Sequence, residues 1–163
     1  MTISISRAGR LVLDDNGLVH ARLITIEVVD SVDDRGKERT ELEWSFEVPT
    51  TKGTAIKRLW TGLNVNAKKT YYPTDENGVI LPPEYNKLTQ VTLSLGLIDE
   101  VLLHSDADID LDLQMLIGKD FTFAVIPQKL KPHLSDIVLT SLRFKPEEID
   151  NGAAKALTVG RNR

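Results

Sequence analysis

The chain has 163 residues, 41% hydrophobic and 27% charged, the size and composition of one ordinary globular domain. It contains no cysteine, which excludes disulfides and thiolate metal sites and fits a reducing cytoplasm. The formal net charge of −4 excludes a surface coated in positive charge, but not a local basic patch.

The start, "MTISISRAGR", has no long apolar run and is not expected to be a secretory signal. No stretch approaches the ~18 apolar residues needed to span a membrane. Residues 1–17 read as an N-terminal arm, loose or forming a short strand, that ends in a turn at "DDNG". A domain over 18–146 then opens with "LVHARLITIEVVD". Val19, Ala21, Leu23 and Thr25 share one side of this strand, and Arg22, Ile24, Ile26 and Val28 share the other. Both sides are largely apolar, which predicts a central or doubly covered strand. After the polar turn "DSVDDRGKER", the run "TELEWSFEV" alternates strictly. Leu42, Trp44, Phe46 and Val48 are the expected core side, with Glu41, Glu43, Ser45 and Glu47 facing water. The third strand, "AIKRLWTGLNVN", sets Leu59, Thr61, Leu63 and Val65 against Arg58, Trp60, Gly62 and Asn64. A tryptophan on a polar face needs a reason other than the core.

The connection "AKKTYYPTDENGVILPPEY" has a turn at "ENG". "PPEYNKLTQVTLSLGL" predicts a helix with Pro82 and Pro83 in its first turn and Gly96 at its end. Tyr85, Leu88, Val91, Thr92 and Leu95 fall on one face. A second short helix is expected over Asp110–Ile117, ended by Gly118. "KDFTFAVIP" is the fourth strand and "LSDIVLTSLRFKP" the fifth. Residues 147–163 lack apolar periodicity and read as a flexible tail.

The expected class is therefore mainly β. Three strands, a helical segment and two strands give the connectivity of the OB-fold, a five-stranded antiparallel and partly open barrel. Its one main helix lies between the third and fourth strands. The runs "GLVHARLITIE", "LEWSFEV", "LWTGLNVN", "LTQVTLSLGL", "DLQMLIGKDFTFAVI" and "LSDIVLTSLRF" resemble small OB-fold proteins of phages and prophages. Those proteins are often described as single-stranded-DNA-binding-like. The resemblance covers roughly Gly17 to Phe144 and implies a single-stranded nucleic acid as ligand, DNA before RNA. The family has no strict motif, so binding residues are argued from local chemistry.

From Thr50 to Tyr72 the chain carries Lys52, Lys57, Arg58, Lys68 and Lys69 and no acid. The same stretch holds Trp60, Tyr71 and Tyr72. Single-strand binders combine cations along the phosphates with rings that stack on bases. Lys57, Arg58, Lys68 and Lys69 are the expected phosphate contacts, and Trp60, Tyr71 and Tyr72 the expected stacking rings. Lys129 and Lys131 in the last loop would join them, as would Arg35, Lys37 and Arg39 near the first. The plainer reading is a solvated basic loop with Trp60 tucked under the helix. Glu41, Glu43 and Glu47 would repel phosphates, so the groove must lie further along the third strand or the ligand is not a nucleic acid. The rival class is a phage-related structural or protein-interaction β module. Edge strands of small barrels often pair between subunits, which leaves a homodimer open.

Catalytic and metal signatures are missing. An EF-hand loop from Asp106 would need Gly and Glu where Leu111 and Ile117 stand. His20, His104 and His133 lack ligand spacing. There is no nucleophile elbow and no phosphate loop. A non-catalytic protein without cofactor or metal is expected. The ending "GRNR" is not the acidic tail with which many bacterial single-strand binders recruit partners, which argues against a replication-hub role.

Overall fold

The computed structural model describes residues 9–127 and 135–146. The expected tail at 147–163, the first eight residues, and Lys129 and Lys131 lie outside the described residues. Among the described residues, no helix is long and apolar enough to cross a membrane.

Strict alternation in the second predicted strand is realised as β2, Glu38–Thr50. Trp44, Phe46 and Val48 are buried, as their spacing predicts. The ring of Phe46 meets Phe121 and Phe123 edge-on, at centroid distances of 6.0 and 5.5 Å. The indole N–H of Trp44 would be stranded in this core without an acceptor. It donates to the hydroxyl of Thr61 at 3.0 Å, and both residues are buried.

β1 (Val19–Val32) pairs antiparallel with β2, and β2 pairs antiparallel with β3 (Gly53–Thr61). The first four residues of β1, Val19 to Arg22, also pair antiparallel with β4 (Asp120–Phe123). β4 in turn pairs with the two-residue β7 (Arg143–Phe144). The result is a five-stranded antiparallel sheet of order β3-β2-β1-β4-β7. The protein is mainly β, as expected. Closure into a barrel is not found: among the described residues no ladder joins the two sheet edges, β3 and β7.

The two-sided apolar pattern of β1 has a different cause from the one expected. Leu23 pairs with Phe46 but Thr25 pairs with Ser45, so Ile24 is an extra residue. This β-bulge resets the alternation. Ile26 therefore joins Val19, Ala21 and Leu23 on the core face, and Thr25 turns outward with Ser45. The strand is buried on one face only.

Other departures are local. Helix α1 is Lys87–Ser94, not a helix begun by the prolines. Asn86 caps it, its side chain accepting from the Thr89 N–H at 2.9 Å. Gly96 follows with φ +73°, the left-handed end that its position predicts. Leu88, Val91 and Leu95 are buried as predicted, but Tyr85 lies before the helix. A four-residue helix α2, Glu100–Leu103, stands where none was predicted. The second predicted helix shrinks to a 3₁₀ turn, Leu113–Leu116.

The predicted fifth strand is broken into β6 (Ser135–Ile137), a 3₁₀ turn (Leu139–Ser141) and β7. The Ser141 hydroxyl accepts from the Ala124 N–H at 2.8 Å and donates to the Val138 carbonyl at 2.6 Å. A side chain thus takes the place of a strand partner and turns the chain. β6 pairs only with β5 (Val125–Pro127), as a separate hairpin. Of the residues before β1, Val12 and Asp14 are tied down. Val12 N–H donates to the Pro49 carbonyl at 3.0 Å, and the Asp14 carboxylate meets His20 Nε2 at 2.7 Å.

Candidate functional site

Among the described residues β3 has β2 on one side only, which leaves its other edge without a strand. Facing that edge are the β5–β6 hairpin, the start of α1 and the extended segment around Tyr71. Between them lies a cleft of about 380 Å³. Its walls carry Arg58, Trp60, Tyr71 and Lys87, with Glu84 and Asp136 as the acids.

Trp60 stands on the outward face of β3, paired across the ladder with Glu43. It is 43% exposed and is not tucked under the helix. Its indole N–H donates to Glu43 Oε2 at 3.0 Å, which fixes the ring without covering its face. Arg58 lies one step along the same face, with Nε 3.6 Å from Glu43 Oε1. One carboxylate therefore holds both the ring and the cation. Tyr71 is 46% exposed and anchored through its backbone, exchanging two hydrogen bonds with Glu84 at 3.0 and 2.7 Å.

Not every expected phosphate contact is free to make one. Lys57 is adjacent to Arg58 in sequence, so it points to the opposite side of the strand. Its ammonium donates to the Ser135 carbonyl, bridging β3 to β6. Desolvation there holds its pKa below the ordinary lysine value, with the charge of Asp136 acting against the shift. Lys57 is a strut between the cleft walls. Lys69 places its ammonium 5.1 Å from the centroid of the Tyr85 ring and does not line the cleft. Tyr85 donates to Glu100 at 3.0 Å and meets His104 Nε2 at 3.2 Å. Burial, and then Glu100, raise the pKa of its phenol. Lys68 and Tyr72 are exposed but do not line the cleft.

The structure thus brings Lys57, Arg58, Trp60 and Tyr71 from the expected set to one cleft, with the Lys57 ammonium engaged by Ser135. It adds Lys87 and Gln90, both from α1 and neither expected as a site residue. Gln90 fixes the chain beside the cleft by donating to the Tyr85 carbonyl at 2.7 Å. The only sequence signal for Lys87 was its isolation: it is the one base from 73 to 115. The outward face of the sheet is otherwise acidic, with Glu27 directly opposite Glu43 and Glu41 and Glu47 nearby. Arg22 and Arg39 also lie on this sheet, but Arg22 is paired with Asp120 at 3.0 Å and Arg39 with Glu41 at 4.0 Å. No family model, no curated protein and no solved structure matches this chain.

Proposed function

We propose that the chain is a non-catalytic module that holds single-stranded DNA, with little sequence preference, in the cleft along the β3 edge. The observation that carries this reading is the pairing of two exposed rings, Trp60 and Tyr71, with Arg58 and Lys87 around one opening. Bases stack on the rings, and phosphates pass near Arg58 and Lys87. Lys68 extends the path outward. The acidic sheet face keeps the strand off the centre of the sheet and against its edge. The strand order, with α1 after β3, supports an OB-like barrel of the phage type left open between β3 and the last strands. A cysteine-free chain of this kind suits the cytoplasm.

A specific observation favours the rival reading as second choice. Glu43 already satisfies both Trp60 and Arg58, as it would in a surface shaped for a protein partner. A tryptophan-fluorescence titration with oligo-dT at low and high salt separates the two, using the parent and Trp60→Ala. The mutant keeps only Trp44, which is buried and blind to ligand. Salt-sensitive quenching in the parent is expected. The mutant should lose the quenching, and by anisotropy of a labelled oligo-dT it should bind about 5- to 150-fold more weakly, from a stacking energy of roughly 1–3 kcal/mol. A folded parent that shows no quenching at low salt refutes DNA binding and leaves a protein-interaction β module.

A further inference from the structure

β1 runs past the end of its neighbour. β4 covers it only from Val19 to Arg22, and the loop before β4 reaches Leu23 through Gly118 and Lys119. From Thr25 to Val32 the β1–β2 hairpin projects with one side of β1 unpaired among the described residues. Such an edge is a template for another strand unless it is blunted. This one has no proline, no lysine and no bulge beyond Ile24. It exposes Val28 at 66% and Val32 at 65%.

The direction of its backbone groups follows from Leu23. The Leu23 N–H donates to the Lys119 carbonyl, and the Leu23 carbonyl accepts from Gly118, so the core-facing residues of β1 direct both groups away from β2. Ile26 and Val28 pair with Trp44 and Leu42 on that face, and Asp30 and Val32 continue it. These four residues therefore present N–H and C=O to the open side.

We propose that this edge pairs antiparallel with the same edge of a second copy, about a two-fold axis at Val29. In that register Ile26 lies opposite the partner's Val32, and Val28 opposite the partner's Asp30. Every free N–H and C=O of the four residues then finds a partner. On the other face Glu27 meets the partner's Ser31 and Val29 meets the partner's Val29. No two acids stand opposite each other, although the edge carries Glu27 and Asp30. A register about Asp30 would set the two Asp30 carboxylates together, and one about the junction of Val28 and Val29 is excluded because it would set core-facing residues opposite outward-facing ones. The paired length, Ile26 to Val32, also stops short of Leu23, where the loop before β4 begins to occupy the edge. A second copy is thus the occupant whose length and charge pattern the edge fits. The joined sheet would carry the two β3 clefts at its far ends.

Size-exclusion chromatography with light scattering on the full chain at ~100 µM tests this. The monomer mass is 18.2 kDa, so the parent should elute at twice that mass. Val28→Pro removes an N–H that faces the open side, where an edge strand tolerates proline, and should give a folded monomer. Val28→Lys should do the same by setting a charge on the edge. A monomeric parent at this concentration overturns the proposal. So does a dimer that survives in both variants. DNA binding by the cleft is read separately, so failure of either idea leaves the other standing.

Discussion

Removing the charge of Glu43 should tighten DNA binding. Glu43 sits 3.6 Å from Arg58 Nε and accepts the Trp60 indole N–H at 3.0 Å. Glu43→Gln keeps an amide oxygen for the indole and removes only the negative charge. At 3.6 Å the bare Coulomb attraction is about 1 kcal/mol in water and about 5 kcal/mol at an effective dielectric of 20. The arginine side chain is half exposed, so the lower end applies, and exposed pairs measure roughly 0.2–1 kcal/mol. Freeing Arg58 for a phosphate should therefore improve the affinity for oligo-dT by up to about fivefold. One added phosphate contact should also steepen the salt dependence by about 0.7 in slope. Fluorescence anisotropy at about 50 and 200 mM NaCl reads both quantities. An affinity that is unchanged or weaker, with the fold intact, would refute the placement of phosphates at Arg58.

Thr61→Val keeps the shape of a buried residue but removes the acceptor of the Trp44 N–H. It should destabilise the fold by roughly 1–3 kcal/mol, read as a lower urea midpoint at unchanged slope; an unmoved midpoint would contradict the role given to this bond. Asp14 is held below the ordinary aspartate value of 3.8, chiefly by its hydrogen bond to His20 and then by the Leu18 N–H. A depressed carboxylate stabilises the fold above its unfolded pKa, and that share is lost as the pH falls below about 4. Asp14→Asn should flatten the pH dependence of stability in that window, and a carboxyl chemical shift that titrates at the ordinary value would disprove the coupling.

Much of the central sheet was legible because period-two patterning and burial have the same cause. In β2, Trp44, Phe46 and Val48 needed no further information. In β3 the same logic put Leu59 and Thr61 inside and left Trp60 outside. It should also have separated Lys57 from Arg58, since neighbours on a strand cannot share a face. Both nevertheless line the one cleft, because Lys57 reaches across to the Ser135 carbonyl. The bulge at Ile24 was not legible, because an inserted residue makes a one-sided strand look two-sided. The break near Ser141 was hidden for another reason: its hydroxyl competes with the ladder, and alternation carries no trace of that competition. Lys87 reaches the cleft only because α1 folds back towards the β3 edge, a long-range event that local pattern does not encode.

The extra residue in β1 also bears on how this chain could change over time. Deleting Ile24 would leave Leu23 inward, Thr25 outward and Ile26 inward, a regular strand with every other side chain on its present face. Most single-residue deletions within a strand invert everything beyond them. Here the middle of the longest strand is a place where the chain can lose a residue and keep its core. A relative that diverged in this way would align only with a gap inside a strand, where gaps are ordinarily penalised as improbable.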